Sequence, residues 1–198
     1  MKNVICLLIV LSLCWPVLAF RITPELQKEL NQKTAAVKNS PKDPAARFDL
    51  AITQAYTNNL IDGMFTIKKI GELDLNYKTR ALKEYIEKVK QNPNDWRLRF
   101  RLAFVYYFNE KYQDAIREFE NVIKLDPDNV FAYGYLALLE GGLGNVDKAI
   151  ELTKKGISLD SNVAALHLLL SEGYYKKGDS WGGWLERMEA LRLKALGY

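Results

Sequence analysis

Residues 96–129 read WRLRFRLAFVYYFNEKYQDAIREFENVIKLDPDN, and this stretch decides the fold. Near its end stands Asp-Pro-Asp-Asn at 126–129. Proline fits the first turn of a helix but not its interior, so this tetrapeptide ends one helix and begins the next. Further turn signals stand at 143–146 (Leu-Gly-Asn-Val) and at 177–180 (Lys-Gly-Asp-Ser). The pattern predicts short helices separated by tight turns.

The same pattern recurs when the sequence is shifted by 34 residues, which is the mark of a repeat architecture. Four windows fall into register, at 44–77, 96–129, 130–163 and 164–197. Their seventh position is always leucine: Leu50, Leu102, Leu136 and Leu170. Their eighth and twentieth positions hold small residues: Ala51, Ala103, Ala137 and Ser171, then Gly63, Ala115, Ala149 and Gly183. Small residues are expected where two antiparallel helices cross closely, because a larger side chain would separate the backbones.

The stretch at 96–129 resembles the tetratricopeptide repeat. The residues that carry the resemblance are Leu102, Ala103, Tyr106, Tyr112, Ala115, Phe119 and Pro127. The resemblance implies an all-α fold, an α-α superhelical solenoid of helix-turn-helix repeats with an N-terminal capping helix. Repeats 44–77 and 164–197 depart from the family pattern, with Gln54 in place of tyrosine and with Ser180 and Arg187 at usually apolar positions.

The repeat register divides the chain into a series of units. Residues 20–43 are expected to form the capping helix, followed by the first repeat at 44–77. Residues 78–95 read as the second half of a repeat whose first helix is missing, with Ala81 at the small position and Tyr85 at the aromatic one. We expect one extra helix there and an irregularity in the stack, followed by three full repeats at 96–129, 130–163 and 164–197.

The first residues, MKNVICLLIVLSLCWPVLAF, have the pattern of an export signal. Lys2 precedes an apolar run, and Val17 and Ala19 present the small-residue pattern that signal peptidase accepts. Residues 1–19 are therefore expected to be removed by cleavage after Ala19. Two alternatives stay open: an uncleaved membrane anchor, which would be the protein's one contact with the membrane, and lipidation of Cys14. Both a cleaved signal and an uncleaved anchor predict an exported protein, which would be periplasmic, extracellular or anchored on the outer side of the membrane.

Composition argues against several classes of function. The formal net charge of +4 is too small to predict a nucleic-acid partner. Both cysteines, Cys6 and Cys14, fall in the expected signal, so the mature chain would lack a disulfide or a thiol nucleophile. His167 is the one histidine, and Gly141, Gly142 and Gly144 have no strand before them and no Gly-Lys-Ser/Thr after them. We expect no cofactor, no metal site and no enzymatic activity.

The resemblance implies that the second, fifth, ninth and twelfth positions of each repeat line a concave inner surface. Most of these positions are apolar or aromatic, in a stripe opposite the core stripe, and a large apolar patch in water usually marks a binding surface. The candidate binding residues are Phe48, Ile52, Arg97, Phe100, Phe104, Tyr107, Phe131, Leu138, Glu172 and Tyr175. If the stripe is open, Phe104 should be partly wet in the free protein. The alternatives are that strong curvature packs the stripe against itself or that the capping helix fills it.

These patterns predict a non-catalytic scaffold of the cell envelope that binds an apolar peptide or a partner helix in its groove. Docking of a chaperone's C-terminal carboxylate is not expected, because the ninth positions (Ile52, Phe104, Leu138 and Glu172) offer no donor. The alternatives are a self-assembling homo-oligomer joined through the last repeat, and an envelope enzyme, for which no cluster of nucleophile, base and oxyanion donors is evident. Trp181 and Trp184, three residues apart on one helix, are expected in the core.

Overall fold

The computed structural model describes residues 22–198, apart from the side chains at positions 60, 61, 64, 68 and 71. The predicted signal at residues 1–19, its cleavage site after Ala19, and Cys6 and Cys14 lie outside the described residues. Across residues 22–198 the chain forms ten helices and no strand. The helices are α1 (Pro24–Asn39), α2 (Pro44–Ala55), α3 (Leu60–Leu73), α4 (Tyr77–Gln91), α5 (Trp96–Phe108), α6 (Tyr112–Leu125), α7 (Val130–Gly142), α8 (Val146–Leu159), α9 (Ala164–Lys176) and α10 (Ser180–Ala195).

Helix starts follow from side-chain capping. The side-chain oxygens of Asp43, Asp95, Asn129 and Asp179 each accept a hydrogen bond from a backbone N–H in the first turn of the helix that follows. Such a bond satisfies one of the N–H groups that a helix start leaves without an intrahelical partner. The sequence therefore sets where most of the first helices of the repeats begin.

The helices pack as successive antiparallel hairpins. The pairs are α2 with α3, α5 with α6, α7 with α8 and α9 with α10. The second helix of one hairpin then packs against the first helix of the next, as α6 does against α7 and α8 against α9. At the N-terminal end α1 packs against α2. The predicted all-α solenoid is confirmed over residues 22–198.

Core positions within each hairpin follow the repeat register. The four leucines at the seventh position and the four small residues at the eighth are all buried. Gly63, at the twentieth position, shows why a small residue is needed: a Cβ there would lie 2.9 Å from the carbonyl oxygen of Ala51 on the facing helix. Closer approach than van der Waals contact is excluded, so this crossing depends on glycine.

The single helix α4 corresponds in position to the half repeat expected at 78–95. It packs along α5 and reaches α2, where the Tyr85 ring lies 5.4 Å from the Phe48 ring and the Tyr85 hydroxyl donates to Asp49 (2.8 Å). A mainly apolar cavity of about 180 Å³ remains between α2, α3, α4 and α5. The buried Tyr77 hydroxyl beside it has no hydrogen-bond partner. An extra helix without its hairpin partner thus leaves imperfect packing at this point of the stack.

Candidate functional site: the inner face of the solenoid

Half of the predicted inner-face residues are buried by the chain itself. These five, which come from the first three repeats, are Phe48, Ile52, Phe100, Phe104 and Phe131. The expectation that Phe104 is partly wet is wrong: 7% of its surface is exposed, and its ring contacts those of Phe100, Phe108, Phe119 and Tyr135. Ring contacts within the repeat and with Tyr135 of the next repeat place this part of the stripe in the core.

Tyr135 of α7 explains how the inner face closes. Its ring lies 4.7 Å from that of Phe104 and stacks on Phe119 at 5.8 Å. Its hydroxyl donates to the carbonyl oxygen of Ala55 in α2 (3.4 Å). Burial raises the pKa of Tyr135 well above its usual value, so the phenol stays protonated and acts as a donor. The first helices of three repeats therefore converge on one side chain, and no open groove remains between them.

A polar cluster fixes α1 to the same end of the stack. Arg101 of α5 is buried and donates to Glu29 of α1 (3.0 Å), and its Nε lies 3.4 Å from Asp49 of α2. The Tyr56 hydroxyl also donates to Glu29 (2.5 Å), and Lys33 of α1 pairs with Asp49 (2.5 Å). Three helices thus share one buried guanidinium. The capping helix lies against α2 and is tied there by charge-assisted hydrogen bonds.

Burial alone would raise the pKa of both carboxyl groups in this cluster. For Glu29, hydrogen bonds from Tyr56 and Arg101 outweigh burial and leave its pKa below the usual value. For Asp49, the charge of Arg101 and the contact with Lys33 have the same net effect on the pKa. Burial also raises the pKa of Tyr56, to about 12. At neutral pH the cluster therefore contains two carboxylates, two cations and a neutral phenol.

Arg97, another predicted binding residue, belongs to this end of the molecule. Its guanidinium lies over the Trp96 ring at 4.8 Å, and its Nε is 3.6 Å from Glu29. The cation is therefore partly engaged with α1 and α5. We infer from these contacts that Arg97 helps to position the capping helix.

The inner face is open in the C-terminal half. Leu138 of α7 is 50% exposed and Leu168 of α9 is 37% exposed. Glu172 is exposed and Tyr175 is half-buried, and Arg187 of α10 pairs with Glu172 (2.6 Å) and lies over the Tyr175 ring at 5.2 Å. We define Leu138, Leu168, Glu172 and Tyr175 as the C-terminal inner face. Leu168, a fifth-position residue, was not among the predicted binding residues.

Tyr107 remains exposed at the C-terminal end of α5. Its ring lies 5.8 Å from that of Tyr112, the first residue of α6. In the repeat register it shares the twelfth position with Gly141 and Tyr175, so it extends the same side toward the closed half. The open surface is therefore a mixture of aliphatic, aromatic and charged groups.

The outer side of α10 contains exposed apolar residues, two of which were expected in the core. Trp181 and Trp184 are 67% and 45% exposed and stack on each other at 5.1 Å, so the prediction that they lie in the core is wrong. Leu185, Met188 and Leu191 continue the stripe along the helix. Their spacing of three and four residues was a readable signal, because one helix side carries residues at that spacing.

The metal-ligating side chains of the described residues are dispersed. Within 22–198, no group of three or more His, Cys, Asp and Glu side chains is arranged to hold a metal ion. His167 is packed, with Nδ1 2.7 Å from Glu186 and Nε2 2.9 Å from the Ser161 carbonyl oxygen. In the same part of the chain, every helix is too short or too polar to cross a bilayer.

The repeat signature and the stacked hairpins define a tetratricopeptide-repeat fold, as the sequence predicted. Residues 96–129 match the family model of the tetratricopeptide repeat.

Solved structures of MamA show the same fold at low sequence identity. MamA from Desulfovibrio magneticus RS-1 (residues 41 to the end) matches with a TM-score of 0.56 and 21% identity over 87% of each chain. An RS-1 MamA double mutant gives 0.57 and 21%, covering 87% of this chain and 86% of that one. A MamA structure from AMB-1 gives 0.54 and 16%, covering 87% and 99%.

Proposed function

We propose that this protein is a non-catalytic protein-interaction scaffold of the cell envelope that holds an apolar peptide or a partner helix on its C-terminal inner face. The observation that carries the proposal is the exposure of Leu138 and Leu168 on the first helices of adjacent repeats. Both are aliphatic side chains left in water on the same side of two neighbouring first helices, and exposed apolar patches often mark binding sites.

The contacts around this surface suggest how a ligand is oriented. Tyr175 offers an aromatic ring with a polar tip, and the Glu172–Arg187 pair offers a charge of each sign beside it. Aromatic and aliphatic anchors supply most of the binding free energy in such sites, and rim charges mainly fix orientation. The closed N-terminal half serves as a rigid support for this open half.

The experiment is co-purification of partners from the native host with the parent protein and two variants. In Leu138→Asp/Leu168→Asp the inner face carries two new charges, which should abolish capture of any partner bound there. Leu125→Asp is the control, because Leu125 on α6 is about as exposed as Leu168 (38% and 37%) and lies away from the inner face. A partner retained by the double variant, or lost with the control as well, would exclude the C-terminal inner face as its site.

The envelope role rests on the signal pattern of the first residues and has a separate test. Processing after Ala19 would give a mature chain that begins at Phe20. Mass spectrometry of the protein from its native host should show that N-terminus in an envelope fraction. A full-length mass in that fraction would indicate an anchor, a lipid adduct on Cys14 would indicate a lipoprotein, and a cytoplasmic full-length chain would contradict the envelope role.

A further inference from the structure

The side of helix α10 that faces away from α9 is not covered by another described helix. The second helices α6 and α8 are each packed between two first helices, α6 between α5 and α7, and α8 between α7 and α9. Among the described residues, α9 alone packs extensively against α10. The opposite side of α10 is therefore where the first helix of a further repeat would lie.

That side is mainly apolar along its length. We define it as the α10 stripe, formed by Trp181, Trp184, Leu185, Met188, Leu191 and Ala195. Arg192 is the one charged residue within this arc of α10, and its guanidinium is held by Glu189 (2.7 and 2.5 Å). The large side chains of the stripe together expose roughly 600 Å², at the upper limit of what a monomer usually leaves in water.

We propose that the α10 stripe is a homodimer interface, covered by the α10 stripe of a second copy in an antiparallel, two-fold arrangement. Covering two such stripes removes roughly 1,200 Å² from water, which is the lower bound for specific protein interfaces. An interface at this lower bound of size is typical of reversible rather than obligate association.

The first and last described helices, α1 and α10, differ in a way that favours a closed dimer over an open stack. A head-to-tail stack would place the α10 stripe against α1 of the next copy. However, the outward side of α1 is formed by polar and charged residues such as Glu25, Lys28 and Gln32, and α1 exposes no large apolar side chain. Polar end helices keep a solenoid soluble. The stripe of a second copy matches it in apolar character and in length, and two identical surfaces form a closed pair.

The order of residues along α10 favours the antiparallel direction. With the two-fold axis at Met188, residues at equal distances on either side of it face each other: Trp181 faces Ala195, Trp184 faces Arg192, and Leu185 faces Leu191. The bulky indole rings at one end of the stripe thus meet the smaller side chains at the other end. Trp184 also meets a guanidinium, which favours contact with an aromatic face. A parallel pairing would instead oppose the tryptophans and bring like charges together.

The test uses the full chain at concentrations spanning the micromolar range, with its mass followed by sedimentation equilibrium. The parent mass should rise from monomer to dimer and stop there. Leu185→Glu should weaken association at least tenfold, because two carboxylates would enter an apolar interface. Leu143→Glu is the control, since Leu143 is comparably exposed (43%) at the turn after α7, and it should behave as the parent.

A double variant tests the direction of pairing. In Leu185→Glu/Leu191→Lys the new carboxylate of each copy faces the new ammonium of the other, twice across the axis, so association should return. Circular dichroism checks that each variant keeps its helices. A parent that stays monomeric, a mass that climbs past the dimer, a Leu185→Glu variant that still dimerises, or a double variant that stays monomeric would each overturn the proposal.

Discussion

Phe104 and Leu138 occupy the same position in consecutive repeats, yet their surroundings differ. Phe104 is 7% exposed and Leu138 is 50% exposed. The ring of Tyr135 covers Phe104, whereas none of the contacts made by described residues covers Leu138 to the same extent. The burial of an inner-face residue therefore depends less on its position in the repeat than on the side chain that the next repeat places over it.

This difference gives a paired prediction for stability. Phe104→Ala should lower the free energy of unfolding by about 3–5 kcal/mol, because it leaves a cavity among four aromatic rings. Leu138→Ala, at the same repeat position, should lower it by less than about 1 kcal/mol, since much of that side chain is already in water. Denaturant titration of both variants measures the two values. Equal losses would mean that the inner face is uniformly open or uniformly closed.

Residue burial could be predicted from the sequence only where it arises within a hairpin. The leucines at the seventh position and the small residues at the eighth are buried by the partner helix of their own repeat or its neighbour, and the 34-residue register finds them. Burial of Phe48 and Phe100 depends on how strongly successive first helices converge. That curvature results from side chains such as Tyr135 and Tyr85, whose effect no periodic pattern specifies.

At the scale of elements, α1 is fixed by charge as well as by apolar packing. No residue of α1 is fully buried, and its contacts with the stack include Glu29 and Lys33 in the cluster around Arg101. A buried guanidinium shared by two carboxylates stabilises the fold only while all partners remain charged. The capping helix therefore depends on the ionisation of two side chains.

We expect Arg101→Met to lower the free energy of unfolding by about 3–5 kcal/mol at neutral pH, because it leaves Glu29 and Asp49 without their buried cation. Arg187→Met, which removes an exposed ion pair with Glu172, should cost less than about 1 kcal/mol. Thermal unfolding of the two variants beside the parent measures both losses. Similar losses for the two variants would show that the buried cluster around Arg101 stabilises the fold no more than the exposed pair of Arg187 and Glu172 does.

Acid should reduce the difference between the parent and Arg101→Met. The folded-state pKa values of Glu29 and Asp49 lie below their usual values, so the stability they contribute is fully present above pH of about 4. That contribution is lost as the pH falls through the lower, folded-state values. Melting temperatures measured from pH 6 downward should therefore converge in strong acid. If the melting temperatures of the parent and Arg101→Met differ by the same amount at every pH in this range, the assigned role of the two carboxylates is contradicted.

The existence of α4 was predicted from the sequence, but its consequence was not. The small and aromatic positions Ala81 and Tyr85 identify a helix that belongs to a repeat, and the missing partner helix predicts an irregularity. The cavity between α2, α3, α4 and α5 arises from how these four helices share the space, which depends on side-chain volumes across elements far apart in sequence.

At the scale of the whole molecule, the two halves differ in exposure. The N-terminal half buries its inner face against polar helix α1 and the neighbouring repeats, and its exposed apolar residues, such as Phe65 and Leu75, lie on or after α3. The C-terminal half leaves both its inner face and the outer side of α10 in water. The sequence pattern predicted the scaffold, but it predicted the same exposure for the inner face of every repeat. The repeat pattern contains no information on the contacts between repeats that cause the difference. Both proposed contacts, with a partner and with a second copy, therefore fall in the last two repeats.

The bond from the Tyr135 hydroxyl to the Ala55 carbonyl joins residues eighty positions apart in the chain. In an ordinary linear repeat array each unit touches only its neighbours, and melting starts at an end and spreads unit by unit. A link from α7 back to α2 spans the helices between them, so α2 through α7 should unfold together, as one cooperative block. The hairpin of α9 and α10 lies outside the segment that this hydrogen bond closes. It is free to fray first, and a partner or a second copy that covers it would suppress that fraying.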